Sequence, residues 1–441
     1  MNWKRKLTNG AGNKVENHFF HKINGVNGEL ILPGDKSVSH RAVMFSAMAE
    51  GISVIKNCLL SEDVLSTINV CRELGAKIEV KENRVTVQGV GFKGFRQPAK
   101  ELNAGNSGTT ARLISGILSA QDFPSVITGD ESLSKRPMTR VVQPLKEFGA
   151  DIIASENGTL PVKVFPVEKL SAVKYALQVS SAQVKSALLL AGLHLEETSK
   201  IIERAQTRNH TENMLSLPVE RIGEERIISV SKKYYPSANE YFIPSDISTA
   251  AFFLVLTLLS KNSELSIKNI LINATRSGVL KILREMGAKI QIENIRISNN
   301  EKYGDLIVKS SSLRNVPIDE KIIPNIIDEI PILTIAGIFA DGVFEIRRAE
   351  ELRKKESDRI DSMCGNLRRL GLEIEEYPDG FSVKGNVSEG GITFDSFGDH
   401  RIAMSFAVLS MLLKNGGSVN NFECVSISNP YFLNQINTIS L

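Results

Sequence analysis

Residues 71–80 read CRELGAKIEV, and the same phrase returns three more times. The other copies are LKEFGADIIA from Leu145, LREMGAKIQI from Leu283 and LRRLGLEIEE from Leu367. Each reads as a helix end, a glycine in the left-handed conformation that stops it, and a short alternating strand. Four copies of one helix-to-strand junction mark a chain built of repeated α/β units.

A second phrase occurs six times, a polar cluster leading into an apolar helix. Its copies are SVSHRAVMFSAMAEG, NSGTTARLISGILSA, SSAQVKSALLLAGLH, SDISTAAFFLVLTLLS, DEIPILTIAGIFADG and GDHRIAMSFAVLSMLL. The aligned residues Arg41, Arg112, Lys185, Ala251, Ile332 and Ile402 lie 71, 73, 66, 81 and 70 positions apart. The chain therefore divides into six units of roughly 70 residues. Beyond their first turn these helices are apolar nearly all round, which suits helices buried within a domain and covered by sheets. Three units would wrap three buried helices, so six units make two domains. Crossings are expected near Leu32–Asp35 and near Tyr241–Ser245, where YFIP precedes a new helix start. The expected domains are 33–243, and 1–32 with 244–441, the first thirty residues closing the last sheet of the C-terminal half.

The bulk composition narrows the function. A chain of 441 residues has room for two or three domains. Its 53 basic and 50 acidic residues leave a net charge of +3, which argues against a dedicated nucleic-acid binder. The most apolar run, AAFFLVLTLL, is far short of the roughly 20 residues of a membrane span. The N-terminal MNWKRKLTNGAGNK is basic and lacks the apolar stretch of a secretory signal. Cys58, Cys71, Cys364 and Cys424 form no CxxC pair and read as reduced thiols of a cytoplasmic protein.

The chemistry is at the helix mouths. Ser37, Asp246 and Asp399 read as ordinary caps. Capping does not account for Lys36, Arg41, Arg112, Lys185 and Arg401, because a cation near the positive end of a helix is repelled unless an anion compensates. Six such mouths aimed at one cleft would form an anion receptor. The competing reading is that these charges pair with acidic neighbours.

Eight blocks in order carry a family resemblance: LPGDKSVSHR, GNSGTTAR, SKRPMTR, VSSAQVKSALLLAG, TRNHTE, IPSDISTAAFFL, KKESDRI and GDHRIAM. From about Gly28 to Phe432 the chain resembles the 5-enolpyruvylshikimate-3-phosphate synthase family. The resemblance implies the two-domain inside-out α/β barrel of the enolpyruvyl transferases, with three units per domain and the site in the cleft. It implies transfer of the enolpyruvyl group of phosphoenolpyruvate to the 5-hydroxyl of 3-phosphoshikimate, on the path to chorismate and the aromatic amino acids. No metal and no organic cofactor is implied, nor any nucleic-acid or membrane partner, and a monomer is expected.

The resemblance also implies roles. Lys36, Ser37, Arg41, Ser181, Gln183 and Arg208 would bind 3-phosphoshikimate, with Asp328 and Lys355 reaching its hydroxyls. Lys36, Gly108, Arg136, Gln183, Arg359 and Arg401 would bind phosphoenolpyruvate. Gly108 leaves room for close approach at the subsite where the herbicide glyphosate binds. Asp328 would serve as general base and Glu356 as the acid at C3, with Lys36 and Asp399 assisting. Arginine suits these anions through its planar fork, and lysine as a mobile charge. Ala182 stands where some members have a second serine, and the late lysine of the family has no obvious match in SISNPYFLNQ. Two rivals are the sister transferase acting on UDP-N-acetylglucosamine, which has a reactive loop cysteine, and a non-catalytic small-anion binding protein.

Overall fold

The computed structural model describes residues 17–385, 387 and 389–441. Six helices follow the second phrase: α1 (Lys36–Met48), α2 (Gly108–Leu118), α3 (Ala182–Gly192), α4 (Ile247–Leu259), α5 (Ile330–Ile338) and α6 (His400–Leu412). In α5 every residue is buried; in the others, exposure is confined to the first turn or the last residue. Apolar surface on all sides leaves such a helix no stable place except inside.

The chain forms two units. One comprises Pro33–Pro244 with Ile297–Lys302, and the other the remaining described residues. Each holds three of the six helices and three separate open sheets of three or four strands, rather than one sheet closed on itself. The sheets share a plan. Except beside α5, where Val343–Ile346, Gly380–Lys384 and Glu373–Tyr377 form a wholly antiparallel sheet, the strand entering a buried helix pairs in parallel with a strand leaving one, and antiparallel strands are added to it. Around α2, for example, Leu102–Asn103 pairs with Ser125–Thr128, which pairs with Val162–Phe165 of the following hairpin.

At the two crossings the entering strands are exchanged. Asn27–Ile31, which leads into α1, pairs in parallel with Glu264–Leu271, which follows α4. Glu240–Phe242, which leads towards α4, pairs in parallel with Glu50–Lys56, which follows α1. The last unit has no hairpin of its own. Asn17–Phe20 takes that place, antiparallel to Gly417–Asn420. The basic stretch before it lies outside the described residues.

The first phrase forms the same junction four times. Helices Glu62–Glu73, Thr139–Glu147, Gly278–Glu285 and Arg359–Arg369 are each followed by a glycine at positive φ: Gly75, Gly149, Gly287 and Gly371. After each, the next amide returns to a carbonyl five residues back, as in Ala76 to Cys71 and Ala288 to Leu283. This is the Schellman closure, and only glycine adopts its backbone without strain.

Inside the N-terminal unit, α2 and α3 pack backbone against backbone. A Cβ placed on Gly116 would lie 2.0 Å from the carbonyl oxygen of Ala187. Among the described residues no helix is long and apolar enough to cross a membrane.

Candidate active site

In the N-terminal unit the mouths of α1, α2 and α3 carry the predicted cations. The cap of α1 is Asp35, whose carboxylate accepts from the Val38 amide at 2.9 Å. Ser37 therefore lies inside the first turn and is not the cap expected from sequence. Ser107 and Ser181 cap α2 and α3 in the same way.

Arg41 is buried and fixed from three sides. Its Nε donates to Thr211 Oγ1 at 2.8 Å, Nη2 to Ser186 Oγ at 2.7 Å, and Nη1 to the Ser37 carbonyl at 2.9 Å. Burial lowers its pKa to about 10, with Glu212 and Asp35 opposing the shift and Arg208 adding to it, so it stays charged at neutral pH. Arg208 thus acts on Arg41 from the half-buried turn before the helix His210–Met214. Lys36 donates to Asp63 at 2.9 Å.

The α2 mouth is joined to that of α3. Arg112 Nη1 donates to Gln183 Oε1 at 2.5 Å, and Gln183 Nε2 donates to Thr109 Oγ1 at 3.0 Å. Arg136 donates to Asn106 Oδ1 at 2.8 Å and Ser132 Oγ at 3.1 Å. Gly108 faces this group: a Cβ there would lie 3.0 Å from Arg112 Nη1.

Lys185 behaves otherwise. It is fully buried between Glu203 at 2.9 Å and Glu212 at 2.7 Å, and Arg226 joins the same Glu203. Here the acidic-neighbour reading holds, and Lys185 belongs to the interior.

In the C-terminal unit the second set gathers on Arg359. Its Nε donates to Asp399 Oδ2 at 2.7 Å, Nη2 to Glu356 Oε2 at 2.7 Å and Asp399 Oδ1 at 3.3 Å, and Nη1 to Asp328 Oδ1 at 3.2 Å. Lys355 Nζ lies 3.5 Å from Asp328 Oδ1. Arg401 Nη1 donates to the Asp328 carbonyl at 3.1 Å, and its Nη2 lies 3.8 Å from Asp328 Oδ2. The blocks KKESDRI and GDHRIAM and the residue before α5's cap are thus brought together.

The electrostatics follow from burial and charge. Burial opposes the Arg359 charge, but Asp399, Glu356 and Asp328 outweigh it and hold its pKa above the ordinary arginine value. Burial likewise opposes ionisation of Asp399, yet Arg359 prevails and keeps its pKa low. Burial lowers Lys355, against the pull of Asp328. Asp399 is wholly buried and also caps α6 through the Arg401 amide at 2.8 Å. Its carboxylate thus accepts from both Arg359 and the helix it caps.

The family model described as EPSP synthase (3-phosphoshikimate 1-carboxyvinyltransferase) matches residues 20–436. The chain belongs to the EPSP synthase family. It is 47% identical over 412 residues to the 3-phosphoshikimate 1-carboxyvinyltransferase of Petrotoga mobilis, covering 92% of this chain and 95% of that one. The Bacillus subtilis enzyme of the same name is 41% identical over 421 residues, covering 95% and 98%. The solved EPSP synthase of Acinetobacter baumannii superposes with a TM-score of 0.85 at 39% identity, covering 96% of this chain and 98% of that one. The enolpyruvyl transferase NikO of Streptomyces tendae shares the fold, with a TM-score of 0.73 at 14% identity over 96% and 97% of the two chains.

Within this EPSP synthase fold, sequence reasoning missed several supporting groups. Thr211, Ser186 and Asp63 hold Arg41 and Lys36, and Arg276 is buried between Glu329 at 3.0 Å and Asp246 at 3.2 Å. Thr211 and Ser186 lie inside the quoted blocks TRNHTE and VSSAQVKSALLLAG. Asp63 and Arg276 lie outside all eight, so no motif marked them. The segment SISNPYFLNQ folds as a 3-10 turn ending at Ile427 and a helix from Phe432, closed by Asn429 donating to Gln435 at 2.8 Å.

Proposed function

We propose that the two sets serve one reaction: the Arg41 group takes 3-phosphoshikimate, and the Arg359 group carries the proton transfers and much of the phosphoenolpyruvate site. The chain transfers the enolpyruvyl group of phosphoenolpyruvate to the 5-hydroxyl of 3-phosphoshikimate, giving 5-O-(1-carboxyvinyl)-3-phosphoshikimate and phosphate.

The observation that carries the assignment of roles is the carboxylate pair Asp328 and Glu356 on a frame of Arg359, Lys355 and Arg401. In the addition step the 5-hydroxyl oxygen bonds to C2 of phosphoenolpyruvate, Asp328 takes the hydroxyl proton, and Glu356 delivers a proton to C3. In the elimination step Glu356 takes a proton back from C3, the C2–O bond to phosphate breaks, the departing phosphate carries off the proton held by Asp328, and the enol ether is restored. General acid–base work needs carboxyls beside groups that stabilise developing charge, and Asp328 and Glu356 lie beside Arg359 and Lys355. Asp399 acts through Arg359.

Phosphoenolpyruvate falls to Arg136, Gly108, Gln183, Lys36, Arg359 and Arg401. Four of the five N–H groups of Arg359 already meet carboxylates, which leaves one on Nη1. It therefore contributes charge more than a bidentate fork, and Arg401 supplies the further donors. Ser181, Gln183, Lys36, Ser37, Arg41 and Arg208 receive 3-phosphoshikimate, with Lys355 at its hydroxyls. The near-balanced charge argues against a nucleic-acid partner, and we take the chain as a cytoplasmic monomer without a membrane partner.

The reading that acts on UDP-N-acetylglucosamine requires a reactive thiol. Burial raises the pKa of Cys58, Cys71, Cys364 and Cys424 to about 12, which disfavours the thiolate in each. Phosphate release from phosphoenolpyruvate tests the choice. It is expected with 3-phosphoshikimate and absent with UDP-N-acetylglucosamine or with no acceptor. Release with the nucleotide sugar alone would reverse the assignment.

A further inference from the structure

Two rungs of side chains join α1 to the helix Glu62–Glu73 in the N-terminal unit. Lys36 and His40 stand four apart on α1, and Asp63 and Thr67 stand four apart on the other helix, so each pair shares a face. Lys36 Nζ donates to Asp63 Oδ2 at 2.9 Å, and one turn further in His40 Nδ1 lies 2.6 Å from Thr67 Oγ1. Thr67 Oγ1 in turn lies 2.6 Å from Thr110 Oγ1 of α2, which donates to Ser107 Oγ at 2.7 Å. Ser107 is the cap of α2 and immediately precedes Gly108. His40, Thr67, Ser107 and Thr110 are wholly buried. Burial, with Lys36 and Arg41 nearby, puts the His40 pKa well below the ordinary histidine value, so its ring is neutral. Its Nε2 meets no partner among the described residues. A bare lone pair costs less to bury than an unpaired N–H, which assigns the proton to Nδ1. The chain of donors then runs from His40 to Thr67, to Thr110, to Ser107.

We infer that His40 and Thr67 are positioning residues that hold the mouths of α1 and α2 in register, so that Lys36 and Gly108 address one phosphoenolpyruvate. The two rungs differ in kind. Lys36–Asp63 is the outer one, with side chains 18% and 9% exposed, and a bound anion competes with Asp63 for the lysine. A long side chain on a partly exposed carboxylate fixes neither helix. The inner rung carries no charge, so it has nothing to exchange with the ligand and stays made when Lys36 turns to it. Thr67 is the junction. Its one hydroxyl accepts from His40 and donates to Thr110, and so ties α1 to the capped start of α2. Removing that hydroxyl disconnects the two mouths along this path and leaves the His40 N–H buried without its partner.

This inference rests on the assignment of Lys36 and Gly108 to phosphoenolpyruvate, and the test separates the two. Steady-state kinetics are measured for Thr67→Val, Thr67→Ser and Gly108→Ala, with Ile117→Val, a buried change in the last turn of α2, as the packing control. The KM of Thr67→Val for phosphoenolpyruvate should rise about fivefold or more, the scale of one lost neutral hydrogen bond. Its kcat, and its KM for 3-phosphoshikimate, which Ser181 and Arg208 also hold, should stay within about twofold. Thr67→Ser keeps the hydroxyl and should behave as the parent, as should Ile117→Val. Equal rises for both substrates in Thr67→Val, or the same rise in Ile117→Val, would mean a packing defect and overturn the positioning role. If Gly108→Ala raises the KM for phosphoenolpyruvate while Thr67→Val does not, the positioning role is wrong and the assignment stands. If neither raises it, both fail. Should Thr67→Val not fold, Thr110→Val, which cuts the chain one link later, decides by the same criteria.

Discussion

Arg359 and Asp399 are joined by two hydrogen bonds, Nε to Oδ2 at 2.7 Å and Nη2 to Oδ1 at 3.3 Å, with both side chains at 1% exposure or less. The same guanidinium reaches Asp328 and Glu356. A single buried cation therefore sets the spacing of the two acids assigned to the chemistry, and its own anchor is the cap of α6.

Breaking this pair from one side leaves an uncompensated buried charge. Arg359→Met should destabilise the protein by about 3–5 kcal/mol, read from denaturant unfolding. Adding Asp399→Asn should recover part of the loss, because the stranded carboxylate is then gone. A single variant within 1 kcal/mol of the parent would mean that the pair is not structural.

Stability should fall on mild acidification. Burial lowers the pKa of His194 to about 4 and puts His40 well below the ordinary histidine value, with Lys36 and Arg41 adding to the effect at His40. A depressed histidine contributes stability in full above its unfolded pKa near 6.5, and that contribution is lost as pH falls towards the folded value. Between pH 7 and pH 5 the loss for His194 is on the order of 1–2 kcal/mol. His194→Gln should flatten the pH dependence of unfolding. An unchanged slope would remove His194 as its source.

Gly108→Ala should fold, since the first atom its methyl meets is the end of a flexible side chain, Arg112 Nη1 at 3.0 Å. The displaced guanidinium disturbs its bond to Gln183. The expected result is a higher KM for phosphoenolpyruvate and weaker inhibition by glyphosate, with stability within about 1 kcal/mol of the parent by thermal unfolding.

Gly116→Ala has no such escape, because the obstacle is the Ala187 carbonyl. The α2–α3 contact must open, at a cost of about 1–3 kcal/mol in denaturant unfolding. A stability equal to the parent would show that these helices are not packed backbone to backbone.

Much of this was legible in sequence where the signal was local. A glycine ending a helix is decided by its neighbours, so the junctions at Gly75, Gly149, Gly287 and Gly371 could be read directly. The buried helices showed themselves by having no polar face. The strand exchange did not, because the partners Asn27–Ile31 and Glu264–Leu271 are far apart in the chain and alternation marks a strand without naming its neighbour. Lys185 and Arg41 illustrate the same limit within the site. Both are cations at helix mouths, and only the fold shows that one sits between Glu203 and Glu212 while the other faces hydroxyls. Ser37 looked like a cap because its type suits one, yet Asp35, two residues earlier, takes the role.

The most direct test of the account is the turnover of Asp328→Ala and Glu356→Gln, measured as phosphate release at saturating phosphoenolpyruvate and 3-phosphoshikimate. General acid–base roles predict a fall in kcat of about 100-fold or more in each, with 3-phosphoshikimate still bound in calorimetric titration. A kcat within a fewfold of the parent for either variant would contradict the assignment of that carboxylate to the proton transfers.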